Sequence, residues 1–211
     1  MRLVADSFGW PFRGRKVSTW LAGVIAVLLV PVLFVPLLGY AVAATRSAER
    51  DPSLGPPQWS VTARLLTDGL WVTLAIALTL VPFAVLWTPL SLLLSKGVEP
   101  FTAGVLAVLV LALPWGLLAL LHMPHATATF AATGNPRDML DLAGAVRRVR
   151  RDFATWNLVA AAIVTGWAVG LACAGLLCVG VVPGVFYAIL VSAHAAGALH
   201  GSSSGSHSPT G

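Results

Sequence analysis

The chain has 211 residues, 57% of them hydrophobic and 10% charged, with a formal net charge of +5. A soluble globular domain carries about 25% charged residues, so the apolar excess is more than a soluble core can bury, and lipid must cover it. The same surplus sets aside nucleic acid as a partner: cationic segments between long apolar runs are read as loops held against anionic headgroups.

Residues 1–16 form an aromatic and basic leader. Phe8-Gly9-Trp10-Pro11-Phe12 is expected to rest in the headgroup region, rings at the boundary. Arg13 to Lys16 followed by an apolar run resembles a signal peptide, but the run is far longer than the usual 7–15 residues or so. It is read as retained.

Residues 17–44 are uncharged. Pro31 and Pro36 bracket Val32–Val35, and each proline removes a helix hydrogen bond and crowds the preceding turn. The expectation is a short hairpin broken there, each arm near 12 residues or about 18 Å. A re-entrant course shielded by the rest of the protein suits arms of that length. The alternative is one kinked spanning helix.

The linker 45–68 holds Pro56-Pro57 and then a weak apolar stripe of Trp59, Ala63, Leu66 and Leu70. Residues 69–123 read as a second hairpin whose turn lies at Pro89 and Ser95–Pro100. A second linker spans 124–152. Within it Asn135 is a helix N-cap, Pro136 suits the first turn and Asp138 lies near the positive helix end. Met139, Leu142, Val146, Val149, Phe153 and Trp156 then recur at spacings of three and four, on one helical face. Arg147, Arg148, Arg150 and Arg151 project around the others. The pattern predicts a basic amphipathic helix over 136–156 that runs into a spanning helix. It suits the inner leaflet, the protein's own helix ends, or a partner or second subunit. Residues 153–199 form a third hairpin turning at Gly180 and Pro183-Gly184, and 201–211 a disordered Gly/Ser tail. The single membrane domain thus spans 17–200.

Charge decides between topologies. If every apolar segment crosses once, the basic residues fall on both sides. If 17–44 returns to the side it left, twelve Lys and Arg lie on one side and only Lys96 on the other, as the positive-inside rule requires. Both termini are then cytoplasmic. Trp20, Trp71 and Trp156 each follow a basic residue at the start of an apolar run, which is interface chemistry; Trp10 and Trp59 join them as interface candidates.

In their order, several of these segments resemble the prokaryotic family known as domain of unknown function 4013. They are Phe8–Phe12, Leu38-Gly39-Tyr40 followed by Arg46, Pro57-Gln58-Trp59, Leu65-Leu66-Thr67-Asp68-Gly69-Leu70, Phe130–Gly134, and Phe186-Tyr187 with His194 and Gly197. The likeness covers most of residues 5–200. Family members often carry acids after the linker tryptophan, where this chain has Ser60 and Val61. The resemblance implies a helical, polytopic membrane domain and brings over no catalytic residue.

Chemistry inside the spans is sparse. No Asp, Glu, Lys or Arg lies away from their ends, so carboxylate-coupled transport is not expected. No HExxH, P-loop or G-x-S-x-G motif occurs. His122, His125 and His194 are the weak metal candidates, with ordinary interfacial histidines as the plainer reading and no cofactor expected. Cys173 and Cys178 read as small buried hydrophobes. Gly166, Gly170 and Ala174 recur every four residues and suit close helix packing, within the chain or in a dimer. The reading is an all-α, multi-pass protein of a prokaryotic plasma membrane: a non-enzymatic scaffold or accessory subunit in contact with anionic inner-leaflet lipid, and with a homo-oligomeric or membrane partner as a further expectation. The alternatives are a small permease or channel, and a metal-dependent enzyme using the histidines.

Overall fold

The computed structural model describes residues 2–13, 17–173 and 180–204, with side chains as far as 199. Every regular element among them is helical: α1 (Arg2–Gly9), α2 (Val17–Leu28), α3 (Val30–Arg50), α4 (Ala63–Leu94), α5 (Pro100–Thr133), α6 (Leu142–Arg151), α7 (Phe153–Ala172) and α8 (Val181–Ser204), with 3₁₀ turns at Trp10–Phe12 and Pro136–Leu140. Helices α3, α4, α5, α7 and α8 are long and apolar enough to cross a membrane, whereas α2 is a shorter apolar helix.

The first apolar run doubles back. Arg13, just before α2, donates from Nη1 to the carbonyl of Pro52, just after α3, at 2.9 Å. Trp20 and Tyr40 both lie against Phe186, with ring centroids 5.5 and 5.9 Å away, which a straight helix could not achieve across twenty residues. The break falls earlier than expected, however. It lies at Leu29 (φ −98°, ψ 27°), and a second non-helical residue, Leu33 (φ −101°, ψ 16°), interrupts α3. Each sits two or three residues ahead of a proline, because a proline ring disturbs the turn before it and is itself tolerated in the first turn of the next helix. The arms are therefore unequal, 12 residues in α2 and 21 in α3.

Helices α4 and α5 form the second hairpin. Thr62 caps α4 by accepting from the Leu65 amide. Glu99 caps α5 through the Thr102 amide, and Gly134, at φ 73°, closes it. Pro89 does not contribute to the turn: it, Pro82, Pro114 and Pro124 all lie inside these helices. At 32 and 34 residues the pair is about 50 Å long, well beyond a hydrocarbon core of roughly 30 Å.

The segment expected as one helix over 136–156 is three pieces. Asp141 accepts from the Gly144 amide and Asp152 from the Thr155 amide. Aspartate bonded to nearby backbone competes with helix continuation, so α6 starts after one aspartate and α7 after the other. The face differs too: Met139 and Ala145 are buried, while Leu142, Val146 and Phe153 are exposed. In the first linker Leu65, Asp68 and Gly69 face inward, and Ala63, Leu66 and Leu70 do not.

Helix α8 is the hub. With α2, α3 and the leader it encloses Trp10, Leu37, Tyr40, Phe186 and Leu190. With α5 and α7 it encloses Ala128, Val159, Ala162 and Ala195. Gly166 and Gly170 let α7 press onto α8; a Cβ at Gly170 would stand 2.5 Å from the Gly184 carbonyl oxygen, a backbone approach that small residues alone permit. Ala174, the third small position of that series, lies outside the described residues, as do Arg15, Lys16, Cys178 and residues 205–211. The tail positions 201–204 are helical.

Candidate functional site

The contacts at the helix ends sort the charges. Arg46 of α3 bonds Asp68 of α4 and the Ala131 carbonyl of α5. These helix ends therefore share one end of the bundle. Arg13 joins it through Pro52, α6 through its join to α5 and α7, and α1 through Leu3 and Val4, which pack against the cluster of Ala128, Val159, Ala162, Ala195 and Leu199. Every described arginine lies at this end, and Lys96 lies in the α4–α5 turn at the other.

The Arg46–Asp68 pair is the main polar feature within the bundle. The Nη2 to Oδ2 distance is 3.1 Å, with side-chain exposures of 12% and 11%. Nε donates to the Ala131 carbonyl at 2.9 Å, so one guanidinium ties three helices. Spacing along the chain does not disclose the pair, although both residues stand in segments that carried the family resemblance.

Trp10 and Pro11 of the leader pack into the bundle, while Phe12 stays exposed. Trp10 is fully buried, which corrects its placement as an interface residue, and its ring centroid lies 5.3 Å from that of His194. The Ser7 hydroxyl donates to the Leu3 carbonyl and lies 2.9 Å from His194 Nδ1. A serine beside a histidine is the geometry of an activated nucleophile, but Ser7 has no exposed surface, and here the contact anchors α1 to α8. Further donors hold backbone carbonyls: Tyr187 holds that of Phe8 at the end of α1, Trp20 that of Pro11 in the 3₁₀ turn and Tyr40 that of Pro57 in the linker. Carbonyls that helix ends and linkers leave unpaired need such partners. Trp59 stacks on Tyr40 at 4.3 Å. Trp71 stays exposed and Trp156 is half-buried.

The three candidate histidines do not converge. His122 Nε2 meets the Met139 carbonyl at 2.7 Å, His125 lies against Gly144 of α6, and His194 faces the leader. Among the described residues no three His, Cys, Asp or Glu side chains come together to hold a metal ion.

The described residues also line a large concavity. Near Ala128, Val159 and Ala162 helices α5 and α7 meet; beyond that level a groove of about 810 Å³ separates them, floored by α3 and α8. Its walls are almost wholly apolar, and two of its hydroxyls, Thr45 and Thr127, bond carbonyls of their own helices. Thr45 adjoins Arg46 in sequence, but neither Arg46 nor Asp68 lines the groove. Above the groove α6 joins its two walls and presents Arg147, Arg150 and Arg151 to the exterior. Arg147 lies 3.6 Å from Asp141, and burial pulls the Arg148 pKa below its ordinary value.

A family profile described as Protein of unknown function (DUF4013) matches residues 22–191. That range holds α3 to α7, the first part of α8, the Arg46–Asp68 pair and most of the groove. The leader, His194 and Gly197 lie outside it. No curated protein and no solved structure matches the chain.

Proposed function

This chain belongs to the family described as Protein of unknown function (DUF4013), and from that premise we propose that it is a non-enzymatic scaffold or accessory subunit of a prokaryotic plasma membrane. The observation that carries the reading is the one-ended charge. Every described arginine gathers where the helix ends meet, and Lys96 stands alone at the far turn. By the positive-inside rule that end is cytoplasmic, with both termini. Helix α6 then lies at the inner leaflet as an amphipathic helix. Exposed Leu142 and Val146 reach the hydrocarbon boundary beside arginines that attract anionic lipid. The apolar outer half of the α4–α5 hairpin offers contact area to a membrane partner or a second copy.

The permease alternative drew on helix breaks at Pro31, Pro36, Pro82 and Pro89. Helix α4 runs through Pro82 and Pro89, and the breaks at Leu29 and Leu33 belong to the α2–α3 hairpin. The metal-enzyme alternative needs His122, His125 and His194 together, and their separate partners argue against it. Liposomes holding purified protein should keep their lipids intact and a trapped ion gradient as long as protein-free vesicles do. Lipid turnover, or a gradient lost only with protein present, would overturn the scaffold reading.

A further inference from the structure

We infer that the groove between α5 and α7 is a binding site for one anionic membrane phospholipid, its phosphate against the α6 arginines and an acyl chain along the groove. The inference rests on the proposed function in placing α6 at a lipid surface.

Three observations identify the occupant. The first is size. The groove runs along α5 from Ala112 to Thr127, about 22 Å at 1.5 Å per residue. That length lies within the roughly 30 Å of a hydrocarbon core, and the walls along it are apolar. An extended acyl chain can lie along it.

The second is Gly116. A Cβ built there meets nothing within 4 Å, unlike Gly39, Gly69 or Gly170, whose missing side chains make room for neighbouring backbone. Glycine inside a helix is unfavourable by about 1 kcal/mol relative to alanine. At 116 that loss serves no contact within the chain and widens the groove instead.

The third is charge joined to an apolar path. Phe153, Asn157, Ala161, Val164, Ala168 and Leu171 are exposed on α7 and fall within about an 80° sector of the helix. The strip starts beside Arg150 and Arg151 and runs down to the groove, where Val164, Ala168 and Leu171 form part of the wall. A lipid laid on it has its negative group at the arginines, an amide at Asn157 near the glycerol level, and its chain among apolar walls. A zwitterionic lipid would bring its own cation beside the arginines and gain less there than a lipid with net negative charge.

The test is native mass spectrometry of the full chain in detergent, titrated with phosphatidylglycerol or with phosphatidylcholine of the same chains. One phosphatidylglycerol should bind in preference to phosphatidylcholine. Arg150→Gln with Arg151→Gln should remove the preference, about fivefold for each arginine. Gly116→Phe should weaken both lipids about tenfold or more while leaving helix content and melting temperature in place. As a second readout, phosphatidylglycerol brominated in its chains should quench tryptophan fluorescence in wild type, and Trp167→Phe should abolish most of that quenching. Equal binding of the two lipids, unchanged binding in Gly116→Phe, or quenching that ignores position 167 would each overturn the proposal. So would a dimer that excludes lipid and is lost in Gly116→Phe, which would make a second copy the occupant. Detergent binding does not depend on orientation. A positive result with externally placed arginines, or with gradient loss in liposomes, would therefore keep the site and remove the scaffold reading.

Discussion

Replacing Asp68 with alanine leaves the Arg46 guanidinium inside the bundle with one carbonyl partner and no counter-charge. Breaking a buried ion pair from one side typically costs about 3–5 kcal/mol. The retained bond to Ala131, and the position of Arg46 one turn from the end of α3 where a long side chain reaches toward water, place this case at the lower end, about 3 kcal/mol. The double replacement Arg46→Met with Asp68→Leu removes both charges and keeps apolar volume between three helices. Such exchanges are commonly neutral or stabilising, so the double variant should lie within about 1 kcal/mol of wild type. Unfolding by titration of a denaturing detergent into mixed micelles reads these proteins, and the single variants Arg46→Met and Asp68→Leu close the cycle with the double variant. The reasoning fails if the double variant is as unstable as Asp68→Ala, or if Asp68→Ala loses less than about 1 kcal/mol.

Gly170→Ala puts a Cβ against the Gly184 carbonyl and should destabilise by about 1–3 kcal/mol, whereas Gly116→Ala, with open space, should be neutral or slightly stabilising; the same detergent titration compares them. Ser7→Ala removes the hydroxyl at His194 and should loosen the leader by about 1–2 kcal/mol, seen as faster trypsin cleavage after Arg13. Hydrogen bonds from Thr155 hold the Asp152 carboxyl below its ordinary pKa, as Ser53 does for Asp51 and the Thr102 amide for Glu99. A lowered folded value means the caps contribute above the unfolded carboxylate range and are lost as pH falls through the folded values. The protection factor of the Thr155 amide, its exchange relative to the intrinsic rate, should therefore fall below pH ~4, and Asp152→Asn, which still caps, should flatten that dependence.

The membrane class was legible because it depends on how much apolar sequence there is, not on which residues touch. Four of the five candidate spans, α4, α5, α7 and α8, were legible for the same reason, whereas α3 was expected as a short arm and instead runs 21 residues to Arg50. Local competition was harder to read. The spacing of Met139, Leu142, Val146 and Val149 is a sound helical stripe, yet Asp141 and Asp152 end helices by bonding the amides three residues on. Prolines marked the α2–α3 break to within a turn, but Pro82 and Pro89 sit in continuous helix, so a proline alone does not separate a break from a tolerated residue. Trp10 shows a second ambiguity. An aromatic ring beside basic residues reads the same whether it meets headgroups or fills a core, and only the fold of α1 back onto α8 decides. The Ser7–His194 contact spans 187 positions and leaves no trace in local pattern. The groove is less legible still, since it exists where α5 and α7 part.

The central claim is that residues 17–50 return to the side they left, and that this side is cytoplasmic. Single cysteines at Ser53, Gly97 and Ser203, in a chain with Cys173 and Cys178 changed to alanine, can be probed in intact cells with a membrane-impermeant thiol reagent. The account predicts labelling at position 97 alone. Labelling at 53 or 203 with 97 protected would contradict it, placing the arginine-bearing end and its groove on the outside of the cell.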